Sequence, residues 1–100
     1  MEIVYSQGAQ EDIRKTIQYY EDQVEGLGKD FWEIVEQSAE KILAFPLSSQ
    51  YIREPYRRFL IRRFPFGIVY RIDDDRIFIA VVMHLKREPY FWLRDSSYTK

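Results

Sequence analysis

YRRFLIRRFPFGIVYRIDDDRIFIAVVMH, residues 56–84, decides the fold. Apolar residues alternate here with arginines and aspartates at a period near two, the spacing of strands with one face turned to water. Phe64-Pro65-Phe66-Gly67 interrupts the run, because proline removes a ladder donor and glycine opens a turn. Asp73-Asp74-Asp75 interrupts it again, since aspartate tolerates the backbone angles of a tight turn. Three strands are therefore predicted, over 56–63, 68–72 and 76–84. The last, RIFIAVVMH, is nearly all apolar and reads as the central strand.

Upstream, EIVYS at 2–6 is β-branched and reads as a short strand. Ser6 is placed to cap a helix, with Glu11 and Asp12 expected in its first turn. Ala9, Ile13, Ile17, Tyr20 and Val24 recur at steps of three and four, one apolar stripe of an amphipathic helix. Gly26 and Gly28 are expected to end it. A second helix is predicted over 29–45, burying Phe31, Ile34, Val35, Ser38, Ala39, Ile42 and Phe45, and stopped by Pro46. The short link folds the two helices antiparallel. Residues 47–55 read as a loop, 85–94 as an irregular segment or short edge strand, and 95–100 as a frayed tail. The result is one domain over 1–94 in the order β-α-α-β-β-β. It is an α+β fold, an antiparallel sheet with an N-terminal helical hairpin on one face.

Composition narrows the chemistry. The chain has 100 residues, 46% hydrophobic and 31% charged, which is globular rather than disordered. No apolar run approaches the roughly 18 residues of a membrane span. MEIVYSQGAQ lacks the basic start and long apolar stretch of a signal peptide, so a cytoplasmic location is expected. There is no cysteine and one histidine, His84, which excludes disulfides, thiol nucleophiles and metal sites built on several histidines or cysteines. Net charge is −1, but it is unevenly spread. Residues 1–50 carry four bases against ten acids, and residues 51–94 carry ten bases against five acids. The basic half either faces an anionic partner or is neutralised by the acidic half. Nine of the fifteen bases are arginines within 53–94, and the planar guanidinium suits phosphate or carboxylate.

Neighbours on a strand point to opposite faces, so one member each of Arg57/Arg58 and Arg62/Arg63 is expected on the face away from the helices, with Arg71 joining one set. Such a stripe is either an anion grip or a solvated face paired to acids. His84, beside Lys86 and Arg87, is a candidate general acid or base, or a strand-end histidine satisfied by a backbone carbonyl. No serine sits where a triad could form, and the Asp73–Asp75 run reads as a turn rather than a metal site.

Three segments, YYEDQVEGLGKDF (19–31), RRFLIRRFPFGIVYRI (57–72) and HLKREPYFW (84–92), together resemble the RelE/ParE family of toxins from bacterial type II toxin–antitoxin modules, over nearly the whole chain. The resemblance implies the same β-α-α-β-β-β fold, no cofactor and no metal. It also implies a cognate antitoxin whose C-terminal segment wraps the chain, as a helix against the hairpin and an added strand at the sheet edge, with acidic residues that cover the arginine face. Two targets are open under it. RelE-type members are ribosome-dependent mRNA endonucleases, for which His84 and Arg87 would be the catalytic candidates. ParE-type members bind DNA gyrase without cutting nucleic acid. Gly67 stands where the nucleases carry an arginine, and Trp92 or Leu93 near where they carry a tyrosine. With the GLG and FPFG features, this favours the ParE branch. Arg58, Arg62, Arg71, Lys86 and Arg87 are then the expected target- and antitoxin-binding residues. An inactive toxin-fold binding subunit is the third reading.

Overall fold

The computed structural model describes residues 1–99, so Lys100 of the expected tail lies outside the described residues. The elements are β1 (Glu2–Tyr5), α1 (Gln7–Gln23), α2 (Leu27–Ala44), β2 (Tyr51–Arg53), β3 (Tyr56–Leu60), β4 (Phe66–Asp73) and β5 (Arg76–His84). A 3-10 turn (Phe91–Arg94) and a short helix α3 (Ser96–Thr99) follow. One five-stranded sheet has the order β1-β5-β4-β3-β2. The α+β class, the hairpin on one face and the central position of the apolar strand all hold. The sheet is mixed rather than antiparallel, because β1 pairs in parallel with β5, Glu2 opposite Arg76 through Tyr5 opposite Ile79. Among the described residues, no helix is long and apolar enough to cross a membrane.

Ser6 does cap α1. Its Oγ accepts from Ala9 N–H at 2.9 Å and donates to the Ala80 carbonyl at 2.6 Å, so one hydroxyl fixes helix to sheet. Glu11 and Asp12 lie past the first turn. α2 starts at Leu27, so Gly28 opens the second helix instead of ending the first. Only Gly26 makes the turn, with φ +87°. Val24 and Phe45 stand exposed rather than in the apolar stripes expected for them.

Alternation along β4 and β5 builds two cores. Phe66, Ile68, Tyr70, Ile77, Ile79 and Val82 face the helices and meet Ala9, Ile13, Phe31, Ile34, Val35 and Ile42. The rings of Tyr20, Phe31, Phe64 and Phe66 interlock there, with centroids 4.8 to 5.6 Å apart for Tyr20–Phe31, Tyr20–Phe64, Phe31–Phe64 and Phe31–Phe66. Such pairs contribute about 0.5–1.5 kcal/mol each beyond burial. Val69, Phe78, Ala80, Val81 and Met83 face the other way, against Trp92 and Tyr98. The C-terminal segment is therefore not frayed over its described part, since Tyr98 is only 8% exposed. Its ring lies on Gly8, where a Cβ would stand 2.5 Å from it.

Candidate functional site

The face away from the helices is built from alternate residues of β3 and β4. Arg58 sits opposite Val69, and Arg71 opposite Phe78. Arg58 runs its methylenes over Gly67: a Cβ there would stand 3.0 Å from Arg58 Cδ and 3.5 Å from a Leu85 methyl. The missing side chain at Gly67 thus lets Arg58 reach the start of the Leu85-Lys86-Arg87 turn. Leu60 and Leu85 are exposed on this surface. Lys86 and Arg87 follow directly after β5, in a turn closed by Arg87 N–H donating to the His84 carbonyl at 3.1 Å. The Arg87 guanidinium lies 3.6 Å above the Phe91 ring centroid.

Arg71 shares the face but is held on several sides. Its Nε donates to both Asp73 carboxylate oxygens at 2.9 and 3.0 Å, and Nη1 donates to Tyr56 Oη at 3.0 Å. The Phe78 ring centroid is 4.1 Å from its guanidinium. Burial acts to lower the Arg71 pKa, but the hydrogen bonds to Asp73 and Tyr56 outweigh it and hold the guanidinium above its ordinary value. It is a structural cation that ties β3, β4 and β5 together.

Arg62 does not join the set. β3 ends at Leu60, and the chain turns back toward the helices with Arg63 at φ +72°. Arg62 donates to Gln37 Oε1 of α2 at 3.0 Å, and Arg63 pairs with Asp30 at 3.1 Å. Arg57 also points to the helix side, where Nη1 donates to the Ser49 carbonyl at 2.7 Å and the guanidinium covers Tyr51 at 4.0 Å. Of the five expected binding residues, Arg58 and Arg71 lie on the face away from the helices, Lys86 and Arg87 stand in the turn after β5, and Arg62 lies on the α2 side.

His84 faces the helices. Its ring meets Phe66 edge-on at 5.2 Å, and Nδ1 accepts the Lys86 backbone N–H at 3.0 Å. It lines a cleft of about 420 Å³ with Lys15, Thr16, Tyr19, Tyr20 and Phe66. A backbone donor on Nδ1 leaves Nε2 as the proton-bearing nitrogen of the neutral ring. The expected backbone carbonyl partner is thereby replaced by a backbone N–H, which the ring nitrogen accepts.

Sequence reading missed Asp12 and Tyr98. The Tyr98 hydroxyl donates to Asp12 Oδ1 at 2.8 Å, and Asp12 Oδ2 is buried with no hydrogen-bond partner. The available signal was an aspartate adjoining the Ala9–Ile13 stripe with a glycine one turn before it.

Compared with known proteins, residues 3–89 match the sequence model of the family described as the ParE toxin of the type II toxin–antitoxin system, parDE. No curated protein matches the chain in sequence. A solved structure titled "Chromosomal ParDE TA system from P. aeruginosa" shares the fold, with TM-score 0.63 and 14% identity, over 84% of this chain and 95% of that one.

Proposed function

Because the chain belongs to the ParE toxin family of type II toxin–antitoxin systems, we propose that it arrests growth by binding DNA gyrase through the Arg58–Lys86–Arg87 face. A cognate antitoxin neutralises it by laying acidic residues over the same cationic groups. One observation supports this reading: the groups a nuclease would turn on a phosphate are engaged within the fold. His84 Nδ1 already accepts the Lys86 backbone N–H, and the Arg87 guanidinium is stacked on Phe91. Arg71 is occupied by Asp73 and Tyr56, and Arg58 crosses the position of Gly67. General acid–base catalysis needs its donors and acceptors within hydrogen-bond reach of the same reacting atoms. What remains is a cationic surface with exposed Leu60 and Leu85, which suits recognition of a protein surface.

The test is induction of the chain alone in a bacterial host, paired with purified gyrase. The expected result is growth arrest with a DNA-damage response, loss of supercoiling and accumulation of cleaved DNA. Cuts at fixed codon positions in mRNA from a translating extract, with gyrase unaffected, would overturn the reading in favour of the nuclease. Undisturbed growth and supercoiling would assign the fold to an inactive binding subunit.

A further inference from the structure

Three arginines lie close over aromatic rings: Arg57 at 4.0 Å from the Tyr51 centroid, Arg71 at 4.1 Å from that of Phe78, and Arg87 at 3.6 Å from that of Phe91. Stacking occupies the flat face of a guanidinium and leaves the N–H groups at its rim to donate. The rims of the first two are spent inside the fold. Arg57 donates to the Leu47 and Ser49 carbonyls, and Arg71 to Asp73 and Tyr56. Arg87 is exposed, and among the described residues its guanidinium enters no ion pair. Its face is held and its donor rim is open, the arrangement that suits a carboxylate taken by two parallel N–H groups.

The ring beneath Arg87 is fixed by the residues that flank it. Trp92, next in sequence, is fully buried, meets Tyr56 edge-on at 4.7 Å and donates its indole N–H to the Pro89 carbonyl at 2.9 Å. Tyr98 meets the Phe91 ring edge-on at 5.5 Å. Tyr98 is itself pinned to α1, with its ring on Gly8 and its hydroxyl donating to Asp12 Oδ1 at 2.8 Å. Asp95 secures the turn into α3, where its Oδ1 accepts the Ser97 N–H at 2.9 Å and the Ser97 hydroxyl at 2.8 Å. A continuous line of contacts thus runs from α1 through Tyr98 and Phe91 to Arg87. Phe91 and Tyr98 lie beyond residues 3–89, the stretch that the family model matches. An arginine already ordered loses less freedom when a partner arrives. Resting on the reading of Arg87 as a partner-binding group, we propose that Phe91 and Tyr98 are positioning residues: they hold the Arg87 guanidinium flat on the C-terminal segment so that its N–H rim meets a carboxylate of the partner.

The test is a double-mutant cycle with a hexaglutamate peptide as the acidic probe, read together with the proton shifts of the Arg87 side chain, which the ring current of Phe91 moves upfield. Tyr98→Ala is expected to weaken the peptide about threefold to tenfold and to lose most of the upfield shift. Tyr98→Phe keeps a ring on Gly8 and Phe91 and is expected to restore both to within about twofold of the parent. In the Arg87→Ala background, Tyr98→Ala is expected to cost no further affinity, an outcome that a general loss of structure does not give. If Tyr98→Ala fails to fold, Gly8→Ala takes its place: it leaves every residue of the C-terminal segment intact while its Cβ displaces the Tyr98 ring, and the same losses are expected. Additive losses in the cycle, an Arg87 shift unmoved when the Tyr98 ring is gone or displaced, or equal binding of the peptide by the parent and Arg87→Ala would overturn the proposal. Purified gyrase is measured with the same variants. A cycle that holds with the peptide while gyrase is not bound would sink the gyrase reading and leave the positioning of Arg87 standing.

Discussion

Asp12 carries two conflicting demands on one carboxylate. Tyr98 supplies a hydrogen bond to Oδ1, while Oδ2 is buried without a partner. Burial raises the Asp12 pKa from 3.8 to about 6, against the downward pull of the Tyr98 hydroxyl, of the Arg87 and Lys15 charges and of the Val82 backbone. A carboxyl whose folded pKa is raised favours folding most when protonated. That contribution is complete below the unfolded value near 4 and is lost as pH rises through about 6. Lowering pH from 7 to 5 should therefore add stability through this residue. Discounted for its partial exposure to water, the gain is about 1 kcal/mol. Asp12→Asn keeps an acceptor for Tyr98 and removes the charge. It should be more stable than the parent at pH 7, with the difference shrinking toward pH 5, in urea melts at both values. A constant difference across that range would refute the assignment. The sequence marks Asp12 by its place beside the apolar stripe, but not its pairing with Tyr98, 86 positions further along the chain. The arginines, by contrast, were legible as a group. What could not be read was their sorting, since the left-handed turn at Arg63 sends Arg62 to α2 after the strand pattern has run out.

The helical hairpin shows what spacing reveals about an element and what it hides. The 3.6-residue stripes located α1 and α2, and the glycines marked their junction, but the two glycines do different work. Gly26 supplies the left-handed turn with open space around it, whereas a Cβ on Gly28 would stand 2.5 Å from the Ile17 carbonyl oxygen of α1. Glu21 completes the junction: its carboxylate accepts the N–H groups of Gly26 at 2.8 Å and Gly28 at 3.0 Å, capping α2 from the helix before it. Gly28→Ala must push the helices apart and should cost about 2 kcal/mol or more, while Gly26→Ala should cost about 1 kcal/mol as backbone strain alone. Glu21→Gln should cost about 1 kcal/mol. Denaturant midpoints rank the three, and a Gly28→Ala protein as stable as the parent would show that the interhelical contact is slack. The sheet was less legible. Parallel pairing of β1 with β5 leaves no trace in a period-two pattern. Three residues of β2 beside Pro55 give too short a run to separate from a loop.

At the scale of the molecule, the acidic hairpin and basic sheet do not cancel each other. Of the ion pairs among the described residues, only Arg63–Asp30 joins the two halves; the others are local to α1, α2 or β4. The charge separation therefore persists in the fold, and Arg58, Lys86 and Arg87 form no ion pair among the described residues. Arginines already engaged within the fold should contribute to stability, and free ones to binding. Under the proposed function, alanine at Arg58, Lys86 or Arg87 should each weaken gyrase or antitoxin binding about tenfold, and the loss should be steeper at low salt, where exposed charges are least screened. Arg62→Ala should leave affinity within about twofold. Arg71→Ala should instead lower the melting temperature by several degrees, because it leaves Asp73 and the Tyr56 hydroxyl without their shared donor. Calorimetric titrations at two salt concentrations, run beside thermal melts of the same five variants, separate the classes. If Arg62→Ala matched Arg58→Ala in lost affinity, the binding surface would have to extend around the β3–β4 turn to α2, and the single-face reading would fall.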